Sequence, residues 1–164
     1  MKEQLSIKLT NSAMTACAFT GHRELPDDFS VNRLTELIRD LITEGVNTFY
    51  CGMAKGFDLL AAETVISLRE EYSHIRLILC IPFYGQEKSF SKADKARYAD
   101  VCKNADEQTL LSEGYYKGCL LARNRYMAEK ADALVACYRK ETGGTAYTVR
   151  YFKKIKPDGK IIFV

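Results

Sequence analysis

Two glycine-containing segments of this chain have the residue types and spacing of turns that bind an anion. Gly52-Met53-Ala54-Lys55-Gly56 joins an apolar stretch to an amphipathic one, and Gly143-Gly144-Thr145 follows a later apolar stretch. A turn that leads from a strand into a helix presents backbone N–H groups to an anion, and glycine lets a ligand approach the backbone closely. Together they predict a phosphate site, although the first turn alone favours a plain strand-to-helix connection.

Four polar residues elsewhere could complete such a site. The guanidinium of Arg123 can hold a phosphate through two parallel hydrogen bonds, and Asn124 is its neighbour. The alternatives are a surface ion pair for Arg123 and a capping role for Asn124. His22 and Arg23 follow the first apolar stretch and could contact phosphate or ribose, although a histidine in a loop is most often just exposed.

Two acids follow the first glycine turn, and an aromatic ring follows a third apolar stretch. We expect Asp58 to stabilise the turn by accepting backbone N–H bonds, and Glu63 to be solvated or ion-paired, although both are possible acids near the site. Phe83, which follows Pro82, could stack on a base, or it could cover the sheet edge or join a subunit contact.

The composition is that of an ordinary soluble globular protein, with 47% hydrophobic and 27% charged residues. The net charge of +3 does not by itself indicate a surface for polyanions, so nucleic acid is not an expected partner. No apolar run is long enough to span a bilayer, and the N-terminus lacks the apolar core of a signal peptide. We therefore expect a cytoplasmic protein without a membrane partner.

Neither disulfides nor a metal site are expected. No two of the six cysteines have C-x-x-C spacing, and several lie in apolar, strand-like stretches, which is typical of buried cysteines that act as small hydrophobic residues. Only two histidines are available as imidazole ligands. We expect no cofactor either.

Strand-like and helix-like segments alternate along residues 14–164, after a polar leader at residues 1–13. This alternation predicts one α/β domain with a mostly parallel sheet that is covered on both faces. The strands are predicted at 14–20, 46–51, 75–81, 108–111, 133–138 and 160–164, and the helices at 31–44, 57–72, 91–104, 119–130 and 145–154.

The candidate residues fall in loops that follow strands. In a parallel sheet these loops meet beyond the carboxyl ends of the strands, where ligands bind at a reversal of strand order. The G-x-G-x-x-G fingerprint is missing after the first strand, and the P-loop and G-x-S-x-G patterns are also absent. An ordinary NAD-dependent dehydrogenase is therefore not expected.

Taken together, the motifs resemble the SLOG superfamily, which unites the DprA/Smf DNA-processing proteins with the LOG-type phosphoribohydrolases. They are Thr20-Gly21-His22-Arg23, the turn from Gly52 to Asp58, Arg123-Asn124-Arg125 and Gly143-Gly144-Thr145. The resemblance is closest to the small stand-alone YpsA-like branch and spans about residues 14–164. It implies a Rossmann-like three-layer α/β/α sandwich that binds a nucleotide or nucleotide-derived ligand, and by analogy a homodimer.

Carried over to this chain, the resemblance and the meeting of the loops predict one set of ligand-binding residues. They are Thr20, Gly21, His22, Arg23, Gly52, Met53, Ala54, Gly56, Asp58, Pro82, Phe83, Arg123, Asn124, Gly143, Gly144 and Thr145.

The resemblance leaves catalysis open. LOG-type enzymes carry P-G-G-x-G-T-x-x-E, and the position of its catalytic glutamate is occupied here by Thr148. The expected function is therefore a binding module or sensor for a nucleotide-like small molecule. One alternative is an enzyme that cleaves the N-glycosidic bond of such a ligand, and another is DprA-like binding of single-stranded DNA, which the small net charge supports little.

Overall fold

The computed structural model describes residues 14–164, so the predicted leader, residues 1–13, lies outside the described residues. The strands are β1 (Ala16–Gly21), β2 (Thr48–Cys51), β3 (Arg76–Ile81), β4 (Glu107–Leu110), β5 (Ala133–Cys137) and β6 (Lys160–Phe163). They form one sheet in the order β4–β3–β2–β1–β5–β6, and each neighbouring pair is parallel. The described sheet is thus parallel throughout.

Helices cover both faces of this sheet. They are α1 (Val31–Thr43), α2 (Phe57–Leu68), α3 (Lys92–Asn104), α4 (Cys119–Lys130) and α5 (Gly144–Ile155). The first three pack on one face, and α4 and α5 pack on the other. This arrangement confirms the predicted α/β, Rossmann-like three-layer sandwich. A short 3₁₀ helix, Gln86–Ser89, was not predicted.

Strand β1 illustrates why the strands are apolar at successive positions. Cys17 and Phe19 belong to the core that α1, α2 and α3 cover, whereas Ala18 packs with α4 and α5. Successive side chains of a strand point to opposite faces, so a strand covered on both sides buries every residue. Cysteines suit such positions: all six lie in the described part of the chain with free thiols, and five of them are buried.

The strand order reverses at β1. From β1 the chain adds β2, β3 and β4 on one side, and it then crosses to place β5 and β6 on the other side. The connections that leave β1 and β5 therefore diverge toward opposite faces of the sheet. A crevice opens between them at the carboxyl ends of the strands, which is where ligands bind in sheets of this kind.

Candidate functional site

A cavity of about 460 Å³ lies in this crevice. Its volume falls within the range of small-molecule sites, roughly 300–1,000 Å³. Its walls come from the end of β1, the two glycine turns and the start of α4. The lining residues are Phe19, Thr20, Gly21, His22, Arg23, Ala54, Asp58, Tyr115, Gly118, Leu120, Leu121, Arg123, Asn124, Gly144 and Thr145.

Asp58 contributes a buried carboxylate to the wall of this cavity. It lies in the first turn of α2, is only 5% exposed, and accepts the N–H of Ala54 at Oδ2 over 3.3 Å. The prediction that it stabilises the turn through such a bond is therefore consistent with the geometry. Its Oδ1 is buried and has no hydrogen-bond partner among the described residues. Burial raises the pKa of the carboxyl to about 6, although Arg123 and the Ala54 N–H act in the opposite direction.

Arg123 is also buried, at 4% exposure, so it does not form the surface ion pair that was the alternative from sequence. One guanidinium nitrogen, Nη1, donates to the Gly52 carbonyl, and Nε donates to Asn124 Oδ1 over 2.9 Å. The remaining nitrogen, Nη2, makes no hydrogen bond to any residue in the range 14–164. Burial lowers the pKa of Arg123, and the nearby Asp58 opposes this shift.

The first glycine turn is filled by the protein's own atoms. A Cβ on Gly52 would lie 2.7 Å from Arg123 Nε, so glycine is needed there for the guanidinium to pack. Gly56 has a φ of +81°, and a Cβ on it would lie 2.1 Å from the Arg23 carbonyl oxygen. Neither glycine lines the cavity; Ala54, which lies between them, does.

The second glycine turn is open. Gly143 has a φ of +94°, and a Cβ on it would meet no heavy atom of residues 14–164 within 4 Å. Gly144 and Thr145 begin α5 and line the cavity, where the first N–H groups of a helix have no partner within the helix. A Cβ on Gly144 would make an ordinary 3.6 Å contact with Asn124 Nδ2. The structure thus brings both turns to one cavity.

His22 and Arg23 form the wall that follows β1. His22 Nε2 accepts the N–H of Arg139 over 3.0 Å. Burial, with the charges of Lys140 and Arg139, lowers the pKa of His22. A neutral ring that accepts at Nε2 carries its proton on Nδ1, which leaves one ring donor for other partners. Arg23 is exposed at the rim.

Several residues predicted for the site do not line this cavity. Met53 is fully buried with a φ of +63°, and Pro82 is buried as well. Phe83 lies in a neighbouring cavity, where its ring contacts that of Tyr115 edge to face. The residues outside the cavity are therefore Gly52, Met53, Gly56, Pro82, Phe83 and Gly143.

Neither Glu63, the other possible acid, nor Thr148, at the position of the family's catalytic glutamate, lines the cavity. Arg97 Nε donates to Glu63 Oε2 over 3.1 Å, so Glu63 is ion-paired, one of the two states expected for it. Thr148 is buried, and its hydroxyl donates to the Gly144 carbonyl over 2.8 Å. Asp58 is consequently the acid that the fold brings to the cavity wall.

Arg123 and Asn124 of α4 were predicted, but sequence reasoning missed the first turn of this helix and the loop before it. Tyr115, Gly118, Leu120 and Leu121 line the cavity, as does Phe19 at the end of β1. The one local signal was Gly118, which precedes α4 with a φ of +94°. Leucines at the start of a helix resemble ordinary core residues, so the sequence alone did not distinguish them.

Residues 14–164 contain neither a helix that could span a membrane nor a cluster of metal-binding side chains. None of the helices in this range combines the length and hydrophobicity needed to cross a bilayer. No group of three or more His, Cys, Asp or Glu side chains in this range is arranged to hold a metal ion.

Comparison with known proteins gives both sequence and structural matches. A family model described as the YspA SLOG family matches residues 29–161. A UPF0398 protein of Bacillus velezensis is 36% identical over 110 residues, covering 66% of this chain and 60% of the relative. The prophage-derived protein YoqJ of Bacillus subtilis, described as uncharacterized, is 32% identical over 136 residues. This match covers 75% of this chain and 80% of YoqJ. The chain therefore spans about 60% of the length of the first of these relatives.

Two solved structures share the fold at low sequence identity. DNA processing protein A of Streptococcus pneumoniae matches with a TM-score of 0.63 and 20% identity, covering 92% of this chain and 50% of that protein. DNA processing protein A of Helicobacter pylori, whose structure is described for its single-stranded DNA binding mode, matches with a TM-score of 0.67 and 19% identity. This match covers 92% of this chain and 65% of the Helicobacter pylori protein. These matches establish similarity of fold.

Proposed function

Because this chain belongs to the YspA SLOG family of the SLOG superfamily, we propose that it is a binding module for a nucleotide or nucleotide-derived small molecule. The ligand occupies the cavity at the carboxyl ends of β1, β2 and β5. The family match and the position of the cavity at the reversal of strand order both support this assignment.

The observation that carries the proposal is a pair of buried, opposite charges with unused hydrogen-bonding capacity. Asp58 Oδ1 and Arg123 Nη2 have no partners among the described residues, and both side chains line the cavity. A buried polar atom without a partner costs roughly 1–3 kcal/mol, and among the described residues Asp58 Oδ1 is such an atom, so a ligand that donates to it removes that cost. The ligand therefore offers both a hydrogen-bond donor and an anionic group.

A nucleotide matches this requirement. Its phosphate binds Arg123 and the N–H groups of Gly144 and Thr145, where the start of α5 also favours negative charge. A ribose hydroxyl donates to the Asp58 carboxylate. His22 supplies a further donor through Nδ1, because Nε2 is already occupied by Arg139.

The proposal is tested by calorimetric titration with AMP and ADP-ribose. Gly144→Val places a branched side chain in the cavity without a positive φ, and we expect it to weaken binding at least tenfold. Gly114→Val is the matched control, since a Cβ there meets no heavy atom of the described residues within 4 Å and Gly114 does not line the cavity. Unchanged affinity in a folded Gly144→Val protein would contradict the proposal.

An enzyme that cleaves an N-glycosidic bond is the second candidate, and the pKa of Asp58 at about 6 favours it. A carboxyl of that pKa suits general acid–base catalysis near neutral pH. We nevertheless propose binding without turnover, since Thr148 replaces the family glutamate and does not line the cavity. Incubation with AMP is expected to release no adenine; release that Asp58→Asn abolishes would establish the enzyme instead.

Single-stranded DNA is the remaining alternative, given the Helicobacter pylori neighbour. The net charge of +3 leaves little electrostatic attraction for a phosphate backbone. We expect weak association that disappears with added salt. Tight binding of oligonucleotides near physiological salt would make nucleic acid the ligand.

A further inference from the structure

A second cavity, of about 500 Å³, adjoins the first and has no role in the function proposed above. The two share part of their walls, so a ligand can extend from one into the other. The shared residues are Arg23, Ala54, Tyr115, Leu120 and Arg123.

The wall of the second cavity contains a buried amide in a fixed orientation. Gln86 is 8% exposed, and its Nε2 donates to the Gly52 carbonyl over 3.1 Å and to the Tyr98 hydroxyl over 3.3 Å. Both amide hydrogens are therefore used. Reversing the amide would direct Oε1 at the Gly52 carbonyl oxygen, which is repulsive.

The other end of this amide is an acceptor without a partner. Gln86 Oε1 accepts no hydrogen bond from any residue in the range 14–164, and Gln86 lines the second cavity. The Gly52 carbonyl that anchors the amide also accepts from Arg123 Nη1. One backbone oxygen thus orients both Gln86 and Arg123, which line adjoining parts of the same crevice.

The second cavity also has the aromatic lining that a planar heterocycle needs. Phe83 and Phe90 contribute to it, and the Phe83 ring meets that of Tyr115 edge to face at 5.3 Å. Aromatic side chains stack on any nucleobase, so they provide affinity without selecting a base. Selection must come from a polar group, and the Gln86 side chain is among the polar residues that line this cavity.

We propose that the second cavity holds the base of the nucleotide, and that Gln86 Oε1 accepts a hydrogen bond from an amino group on the ring. The assignment rests on the proposed function, which positions the phosphate at Arg123 and α5. Because the amide cannot rotate to offer a donor, an oxo group at the same ring position would meet the oxygen lone pairs. The site therefore selects adenine over hypoxanthine, and cytosine over uracil.

The test is calorimetric titration with two nucleotide pairs, AMP against IMP and CMP against UMP. In each pair an amino group is replaced by an oxo group, with a change of protonation at the adjacent ring nitrogen. Wild-type protein is expected to bind the amino member at least tenfold more tightly, since a site built to pair a polar group rejects the analogue that lacks it. These measurements require no variant.

Gln86→Met keeps a side chain of similar length and removes the acceptor, so the two members of each pair should then bind within about twofold. Phe83→Leu is the matched control, which lowers the affinity for both members and preserves their ratio. If the wild type binds AMP and IMP with equal affinity, and Gly144→Val abolishes the binding of both, the base assignment is overturned and the proposed function is not. Absence of binding by all four nucleotides would overturn the proposed function together with it.

Discussion

The two glycine turns occupy equivalent positions, each between a parallel strand and a helix, yet the space beside them is used differently. In the first turn, Arg123 packs against Gly52, and the Arg23 carbonyl packs against Gly56. In the second turn, the space beside Gly143 is open and Gly144 faces the cavity. Glycine serves internal packing in the first case and leaves access to the cavity in the second.

This difference explains how the crevice is built. The first turn holds the buried groups Asp58 and Arg123 in place, whereas the second offers the start of α5 to a ligand. A glycine pattern alone therefore does not distinguish a turn that the protein fills from one that a ligand can fill. Three substitutions, two of them paired with a comparison variant, separate these roles, from the largest expected effect to the smallest.

Gly56→Ala should cause the largest loss of stability. The added Cβ would meet a backbone oxygen at 2.1 Å, and the φ of +81° disfavours any side chain. We expect the free energy of unfolding to fall by about 4 kcal/mol or more. Gly143, with φ +94° and ψ −173°, also has a backbone conformation that favours glycine, but the space beside it is open, so the loss for Gly143→Ala should be about 1–3 kcal/mol. Urea denaturation measures both, and equal losses would contradict the contrast between the two turns.

Asp58→Asn should change how stability depends on pH. The pKa of Asp58 is about 6 in the folded protein, against an ordinary value of 3.8. As pH rises, the carboxyl therefore ionises in the unfolded state first, and the stability of the wild type falls progressively between about pH 4 and pH 6. The cost reaches about 3 kcal/mol at neutral pH. Asp58→Asn should therefore be more stable than the wild type at pH 7 and similar at pH 3.5.

The measurement is urea denaturation of both proteins from pH 3.5 to pH 7.5. The difference between them isolates Asp58 from the other carboxyl groups. A difference that does not vary with pH would show that the carboxyl is not destabilised by burial. If the proposed function holds, the more stable Asp58→Asn variant also binds AMP more weakly.

Thr145→Ala should have the smallest effect. It removes one hydroxyl from the open turn and leaves the backbone N–H groups in place, so AMP affinity should fall only a few-fold, about 0.5–1.5 kcal/mol. Thr148→Ala is the matched control, because that hydroxyl bonds the Gly144 carbonyl and does not line the cavity. We expect Thr148→Ala to lose stability and keep its affinity for AMP. Loss of AMP affinity in Thr148→Ala but not in Thr145→Ala would contradict these assignments.

The sequence determined the fold through patterns that are local along the chain. Apolar runs marked the buried strands, and Ser30 marked the start of α1, where its hydroxyl accepts the N–H of Arg33. The 3₁₀ helix Gln86–Ser89 was missed because a single short turn has too few residues to show a period. Helix α2 ends at Leu68 rather than at Tyr72. The N–H groups of Glu70 and Glu71 bond to carbonyls three residues back, those of Ser67 and Leu68, so the chain continues in tighter turns that the sequence pattern does not separate from the helix.

The sequence also indicated which loops would meet, since the carboxyl ends of parallel strands share one edge of a sheet. Tertiary structure alone decided what each residue does there. The Gly52 carbonyl accepts from Gln86 and from Arg123, residues 34 and 71 positions away, and no local pattern records such contacts. Burial likewise depends on the whole fold. The Asp58 oxygen that has no partner within residues 14–164, and the raised pKa of this carboxyl, arise only after α2 and α4 close around it, because desolvation is a property of the packed surroundings.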